Sequence, residues 1–536
     1  MNALRHASSF MLFAALTGSV GADVYRWDTG EVIPETEGIE PAPGGQLDHR
    51  DLQYAELSRM RIYNSRFEQS NLSYARLVGS TIWGSNFVGA NLTSADLSDV
   101  LAYRCDLSDA ELSGATLKGA YLAFANLSES QFARADLTDA YLGDADFTHA
   151  DFTGATIVGA GFDNATSKGF NKEQFYSTAS YRMGELRQVR LWFCDISGWN
   201  LSSQDLTNAE FYDANLSGVD LSSADLKSAN FLSATLSGAK LSGADVRGAQ
   251  FADTTDGGFA KEQLYSTASY EAKDLSNMGL DGNDFRGWNF DGQDLTKSRL
   301  TFTDLTSANL YGANLRNANL GYSTLRDANL TSADVVGARF DNTTSRGFTS
   351  EQLYSTASYQ SGTLEGLQLT FNDMRGWSFR GLNLFHVVAS GSNLSGADFR
   401  DANLTEAGFG ATEFHGADFT NARIRGAGFV DVTDLGYTSA HLYSTASYRE
   451  RNMEGVNLSS NDLSDWDFRD QNLRHAKFAY SVLSNTDFTD ADVTFADFTE
   501  TTSRGFTPDQ VYSTSSYQAA ISGDSTCQKP TWRSGI

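Results

Sequence analysis

The sequence predicts an all-β solenoid, square in cross-section and interrupted at intervals by short α-helices. Three observations carry this. A large apolar residue returns at every fifth position from Leu47, the hexapeptide Tyr-Ser-Thr-Ala-Ser-Tyr returns every 89 positions, and no proline lies between Pro43 and Pro508. A period of five fits neither the 3.6 of a helix nor the 2.0 of a flat strand. It fits a chain that turns a corner once per pentad, so that four pentads close a coil of 20 residues and the next coil stacks at about 4.8 Å. Proline cannot donate to such an inter-coil ladder, which explains its absence.

The chain opens with a segment that reads as export machinery. Residues 1–22 hold Arg5, the apolar run Phe10 to Leu16 and the compact Val20-Gly21-Ala22, the pattern of a cleavable secretory signal cut before Asp23. No apolar stretch reaches the 18 or so residues of a membrane anchor. Residues 23–46 read as an N-terminal cap or linker. Pentad coils are expected over 47–168, 186–253, 275–342, 364–431 and 453–500. Helix inserts are expected over 169–185, 258–274, 347–363 and 436–452, with a C-terminal helix and tail over 505–536.

Each pentad position has a physical reason. Leu or Phe fills the interior, and stacking them coil on coil makes a continuous apolar column. The residue two before it points inward as well and is small, since a bulky side chain there would overfill the core. Asp and Asn, as in Ala95-Asp96-Leu97 and Ala313-Asn314-Leu315, face outward and favour the turn. The register holds for 76 pentads, and only Ala102 and Ala389 place a small residue at the core position. On these residues the sequence resembles the pentapeptide repeat family. The resemblance implies a right-handed quadrilateral β-helix and is almost silent on function.

The hexapeptide occurs at Tyr176, Tyr265, Tyr354 and Tyr443, and a variant begins at Tyr512, 69 residues after the fourth. The shortfall of 20 is one coil. Each copy follows a helix start: Thr349 with Gln352 forms a capping box, and Phe348 staples to Leu353. The staple recurs as Phe170/Phe175, Phe259/Leu264, Tyr437/Leu442 and Phe506/Val511, and Pro508 suits the first helical position. Ala260 is a poor cap, so that copy rests on its staple. Five helices of about three turns are expected. Trp199, Trp288, Trp377 and Trp466 occupy the small inward position in the block after each helix. Indole fits there only if the coil is opened by the helix.

No residues form a catalytic, cofactor or metal site in this pattern. His49, His149, His386, His415, His441 and His475 lack zinc spacing, and the carboxylates recur at turn-forming positions. Cys105 and Cys194 lie 89 residues apart, equivalent positions too distant for a disulfide, and Cys527 is a lone tail thiol. The hydroxyl-rich hexapeptide would suit sugars, but its place after a helix cap favours packing. The net charge of −27 becomes −28 once Arg5 is removed, and Met453 to Glu500 alone holds ten acids and three bases. The expected function is that of an exported (periplasmic, cell-surface or extracellular), non-enzymatic structural or protein-interaction rod presenting acidic faces, with no cofactor, no nucleic acid and no membrane span. Three rivals stand beside it: a DNA-mimicking gyrase-type inhibitor, which the resemblance implies and export opposes; a carbohydrate or cell-wall binding protein using Tyr and Trp faces; and a bacterial effector.

Overall fold

The computed structural model describes residues 23–39 and 41–522. The signal expected at 1–22, Cys527 and the end of the tail lie outside the described residues. The described chain is a right-handed quadrilateral β-helix, and its contacts divide it into two units. The first runs to Trp199 and includes Ser203–Leu216; the second takes Asn200–Ser202 and Ser217 onward.

Both units are built by the same register. Parallel bridges join residues 20 apart, as at Arg61↔Thr81 and Tyr121↔Tyr141 in the first unit and Asp304↔Thr324 in the second. The Leu92 N–H donates to the Glu111 carbonyl at 2.7 Å, and Asn91 N–H to the Ser70 carbonyl at 2.9 Å, so each side is bonded to coils above and below. A corner every five residues leaves room for one bridge per side rather than a long strand. We number the sides one to four from Leu47, Leu52, Leu57 and Ile62.

The corner has a fixed conformation. The residue two after each core position is left-handed in every pentad, whether glycine, as at Gly84 (φ 60°), or not, as at Asp99 (φ 56°). Asp and Asn brace it by an Asx turn: Asp96 Oδ1 accepts from Ser98 N at 3.0 Å and Oγ at 2.6 Å. The core residues are fully buried, among them Leu97, Phe132 and Phe231. Where the core residue is only alanine, at Ala102 and Ala389, the inward residue two before is the larger Val100 or Val387, also buried. Compensation is incomplete at Ala389, which borders a void of about 10 Å³.

At the first unit's start, Arg26 bridges Ala55, Trp27 Nε1 donates to the Tyr74 carbonyl at 2.8 Å, Trp27 packs tilted on Tyr54, and Tyr54 stacks on Tyr74. Each later insert enlarges one coil from 20 residues to 29: Gly161 bridges Arg190 in the first unit, and Gln250, Arg339 and Gly428 bridge Gly279, Gln368 and Asn457 in the second. The insert, nineteen residues long, takes the place of the ten residues of sides one and two.

The inserts differ from the expectation of one three-turn helix. Each is a pair of short helices: α1 (Lys172–Ser177) and α2 (Ala179–Met183), α3 (Lys261–Tyr265) and α4 (Ala268–Glu271), α5 (Ser350–Ser355) and α6 (Ala357–Gln360), α7 (Ser439–Tyr443) and α8 (Ala446–Arg449), α9 (Pro508–Tyr512) and α10 (Ser515–Ser522). The break falls at the hexapeptide threonine. Thr356 is extended, and its hydroxyl accepts from Tyr359 N at 3.2 Å, so it caps a new helix instead of continuing the old one. A second correction concerns Ala260, which keeps half a capping box because its N–H donates to Gln263 Oε1 at 2.6 Å.

Candidate recognition surface

The repeated hexapeptide is the first candidate, and its polar atoms are turned inward. In the second insert, Ser269 Oγ accepts from Val246 N at 2.9 Å and donates to Asp245 at 3.0 Å. Gln263 Nε2 reaches the carbonyls of Leu236 and Ala239 at 2.7 and 2.9 Å. The two tyrosines of the third insert clamp one residue: Ser378 N donates to Tyr354 Oη at 2.6 Å, and Tyr359 Oη donates to the Ser378 carbonyl at 3.0 Å. Tyr443 and Tyr448 hold Asp467 in the same way, and Tyr265 and Tyr270 hold Asn289. Burial pushes the Tyr270 phenol up to about 12. The tryptophan preceding each clamped residue is buried. Trp377 packs between Phe348 and Tyr354, at 5.7 and 6.5 Å. The opened coil is therefore filled by indole against the helix. These groups close the fold around the insert and leave the hexapeptide a packing role.

The histidines are dispersed. His441 Nδ1 accepts from Thr438 N at 2.9 Å in the place a glutamine takes elsewhere, and burial lowers its pKa. His149 and His386 pair with Glu129 and Glu406, and His475 stacks on Phe495. His49 lies at a left-handed corner and His415 is exposed. No group of three or more His, Cys, Asp or Glu able to hold a metal occurs among the described residues. Cys105 and Cys194 are buried and free, and burial pushes the Cys105 thiol up to about 12. Within Met453–Glu500, Asp462, Asp467, Asp492 and Asp497 brace corners.

A different surface emerges once the register is applied. Among coil residues of the first unit, seven large apolar or aromatic side chains are exposed, and six lie on side four: Tyr63, Trp83, Leu101, Tyr121, Phe124 and Phe193. Tyr74 is the other. Half-buried Tyr103, Tyr141, Trp192 and Tyr212 join them on the same side. The rings form two clusters: Tyr103 to Tyr121 at 6.4 Å and Tyr121 to Tyr141 at 5.2 Å in one, and Phe193 to Tyr212 at 5.4 Å in the other. Arg190 lies 4.6 Å from both the Tyr141 and Trp192 rings, while its Nε donates to Asp163 at 2.8 Å. Burial holds the Asp163 carboxyl above its ordinary value despite that partner. In the second unit, side four carries Phe302, Phe371 and Tyr480, three of the four such residues exposed in its coils. Phe302 stacks on Tyr322 at 5.1 Å, and Phe371 borders a shallow cavity of about 430 Å³ with Thr344, Phe348, Asp373 and Trp377.

Phe124, Phe193, Phe302 and Phe371 sit at left-handed corners with φ of 58°, 58°, 59° and 58°, and they are 49, 52, 64 and 61 % exposed. Large L-residues disfavour this conformation by about 1–2 kcal/mol, and rings facing water return little packing energy. None of these residues stands out in a pass for catalytic motifs. The signal that finds them is recurrence at 20 residues, as in Tyr63, Trp83 and Tyr103, with nine subtracted at each insert.

Comparison with known proteins bears on the repeat. The family model for pentapeptide repeats matches overlapping segments that together span 70–166, 185–255, 280–344, 383–421 and 467–502, more than half of the chain. No curated protein matches the sequence. Similar solved structures include HetL, a pentapeptide repeat protein involved in heterocyst differentiation regulation in the cyanobacterium Nostoc. It is 23 % identical over 56 % of this chain and 93 % of HetL, with a TM-score of 0.20. A thylakoid-lumen pentapeptide repeat protein of Arabidopsis thaliana is 26 % identical over 21 % of this chain and 68 % of its own, with a TM-score of 0.15. QnrB1, a plasmid-mediated fluoroquinolone resistance protein, is 18 % identical over 45 % of this chain and 91 % of its own, with a TM-score of 0.18.

Proposed function

We propose, starting from the fact that this chain belongs to the pentapeptide repeat family, that it is an exported, non-catalytic interaction module whose recognition surface is side four. The observation that carries the reading is the segregation of exposed rings. Six of the seven in the coils of the first unit share one side, two of them, Phe124 and Phe193, at left-handed corners where a large side chain carries a conformational cost. The rest of the surface supplies acid. Residues 23–216 hold 28 carboxylates and 14 cations, whereas the outward positions of side four between Arg61 and Asp213 hold four carboxylates and three arginines. Acidic sides keep the chain dispersed, and a near-neutral aromatic side makes the specific contact.

Export rests on the charged start, apolar run and small-residue site at 1–22. No described helix is long and apolar enough to cross a membrane. Two measurements test the proposal. Mass spectrometry after cell fractionation should find a mature chain beginning at Asp23 outside the cytoplasm, and intact Met1 in the cytoplasm as the main species would overturn export. A photo-crosslinking residue at position 193 should capture a partner in the native compartment, while one at Met183 on the insert should not; equal capture would remove side four from the role.

A further inference from the structure

We infer that side four of the first unit binds an extended, neutral polysaccharide laid along the stacked coils, an assignment that rests on the reading of that side as the recognition surface. Ring geometry is the first argument. Tyr141 lies flat across the backbone of Gly143 and Gly161: a Cβ added to Gly143 would stand 2.3 Å from the phenol oxygen, and one added to Gly161 would stand 2.8 Å from the ring. Two missing side chains thus seat the ring against the coil. Aromatic faces carry the negative lobe of the ring quadrupole and take up the polarised C–H groups on the flat side of a pyranose.

The second argument is the guanidinium that lies over the Tyr141 and Trp192 rings. Arg190 is fixed between Tyr141 and Trp192 by its bond to Asp163, and its two terminal nitrogens have no hydrogen-bond acceptor among the described residues. A guanidinium presents several donors in a rigid plane, and a planar donor next to a stacking ring is what a sugar hydroxyl beside a C–H face requires. Trp192 is also held in place, its indole N–H donating to Glu210 at 2.9 Å. The platform exists before any ligand arrives, which reduces the cost of binding.

Repeat length and charge select the class of ligand. Coils stack at about 4.8 Å, close to the length of one hexose in an extended β-linked chain, so the rungs from Tyr63 to Tyr141 and those of Trp192 and Tyr212 offer rings at the sugar spacing, while the rung of Gly161, Asp163 and Asn164 between them offers none. A protein partner would favour a contiguous apolar centre, whereas here Gly84, Ala123 and Gly143 interrupt the strip. The surplus of carboxylates repels polyanions, and side four has almost no net charge with which to attract them. A neutral chain meets neither obstacle.

The test is affinity electrophoresis of the mature full-length chain in native gels containing hydroxyethylcellulose or galactomannan, with heparin as the anionic control. Wild type should be retarded by at least one neutral glycan and not by heparin. Tyr141→Ala with Trp192→Ala should weaken retardation about tenfold or more, and Tyr359→Phe, in an insert, should leave it unchanged. Phe193→Asn, at an exposed corner, provides a variant whose folding is not at risk and should also weaken retardation, with thermal melts confirming the fold of each. No retardation by either neutral glycan, or retardation by heparin alone, overturns the ligand class. If position 193 still crosslinks a protein partner in that case, the recognition reading survives and only the glycan falls. Loss of both removes the two together.

Discussion

The tyrosines of the inserts and the tyrosines of side four are the same residue put to opposite uses. In the inserts, Tyr354 and Tyr359 stack at 4.6 Å and spend both hydroxyls on the backbone of Ser378, and the arrangement recurs with little change in the neighbouring blocks. On side four, Tyr63, Tyr103, Tyr121 and Tyr141 share the strip with Trp83, Phe124, Arg104 and Arg190, and no two rungs are alike. Periodic use marks construction, because every insert must solve the same closure problem. Irregular use on an open side, with Phe124 and Phe193 at left-handed corners, marks selection for something outside the chain.

The largest effect should come from breaking the register on which the comparison depends. Deleting Asp304–Ser323 removes one coil, joins Thr303 to Thr324 and keeps every later residue on its side. Deleting only Asp304–Ala313 turns everything downstream by two sides. The shorter deletion should be markedly less stable in thermal melts, and equal stability would refute a four-sided coil. Next, Trp288→Ala empties the opened coil against Phe259 and Phe285 and should cost about 3–5 kcal/mol in denaturant melts; a loss below about 1 kcal/mol would place the ring outside the core.

A gain is expected at the fourth insert. Tyr437 replaces the phenylalanine of the other copies, and its hydroxyl is buried without a partner. Tyr437→Phe should stabilise the protein by about 1 kcal/mol, measured as a shift in urea midpoint at constant slope. On side four, Phe193→Asn should raise stability by less than about 1 kcal/mol, since Asn tolerates the left-handed corner. A loss instead would show that this ring packs rather than recognises. The mildest test is alkaline. Burial raises Tyr270 to about 12, so the unfolded chain, with a phenol near 10, loses its proton first. The stability linked to that group is complete below about pH 10 and disappears as pH rises toward 12. Urea midpoints should fall over that window, and less steeply in Tyr270→Phe.

Much of this was legible without coordinates. The 20-residue coil follows from the pentad period and the single short block. The cap at Thr349 follows from Gln352, and the buried indoles follow from Trp at a small position. Two features of the inserts were not legible. Thr356 splits the third insert because its hydroxyl takes the Tyr359 N–H, as Thr178, Thr267, Thr445 and Thr514 do in theirs, and local capping of this kind looks in sequence like an ordinary mid-helix threonine. Ala260 keeps half a box through Gln263, a side chain three residues away. The candidate surface was not legible: the tyrosines and tryptophans that stand out in sequence, those of the hexapeptide and Trp199, Trp288, Trp377 and Trp466, pack inward, and side four appears only once the 20-residue register is applied.

The repeat is written in the residues themselves: which of them point inward, where the chain must turn, and how many pentads close a coil. Those depend on local chemistry, on apolar burial at one position and turn formation at the next, and local chemistry is written in order along the chain. Which residues share a side depends on how the coils stack. Gly161 meets Arg190 across 29 residues while Tyr121 meets Tyr141 across 20. The offset arises because an insert takes the place of two sides, so residues far apart in sequence are brought edge to edge by stacking. Tyr141, Arg190 and Trp192 form one platform for that reason.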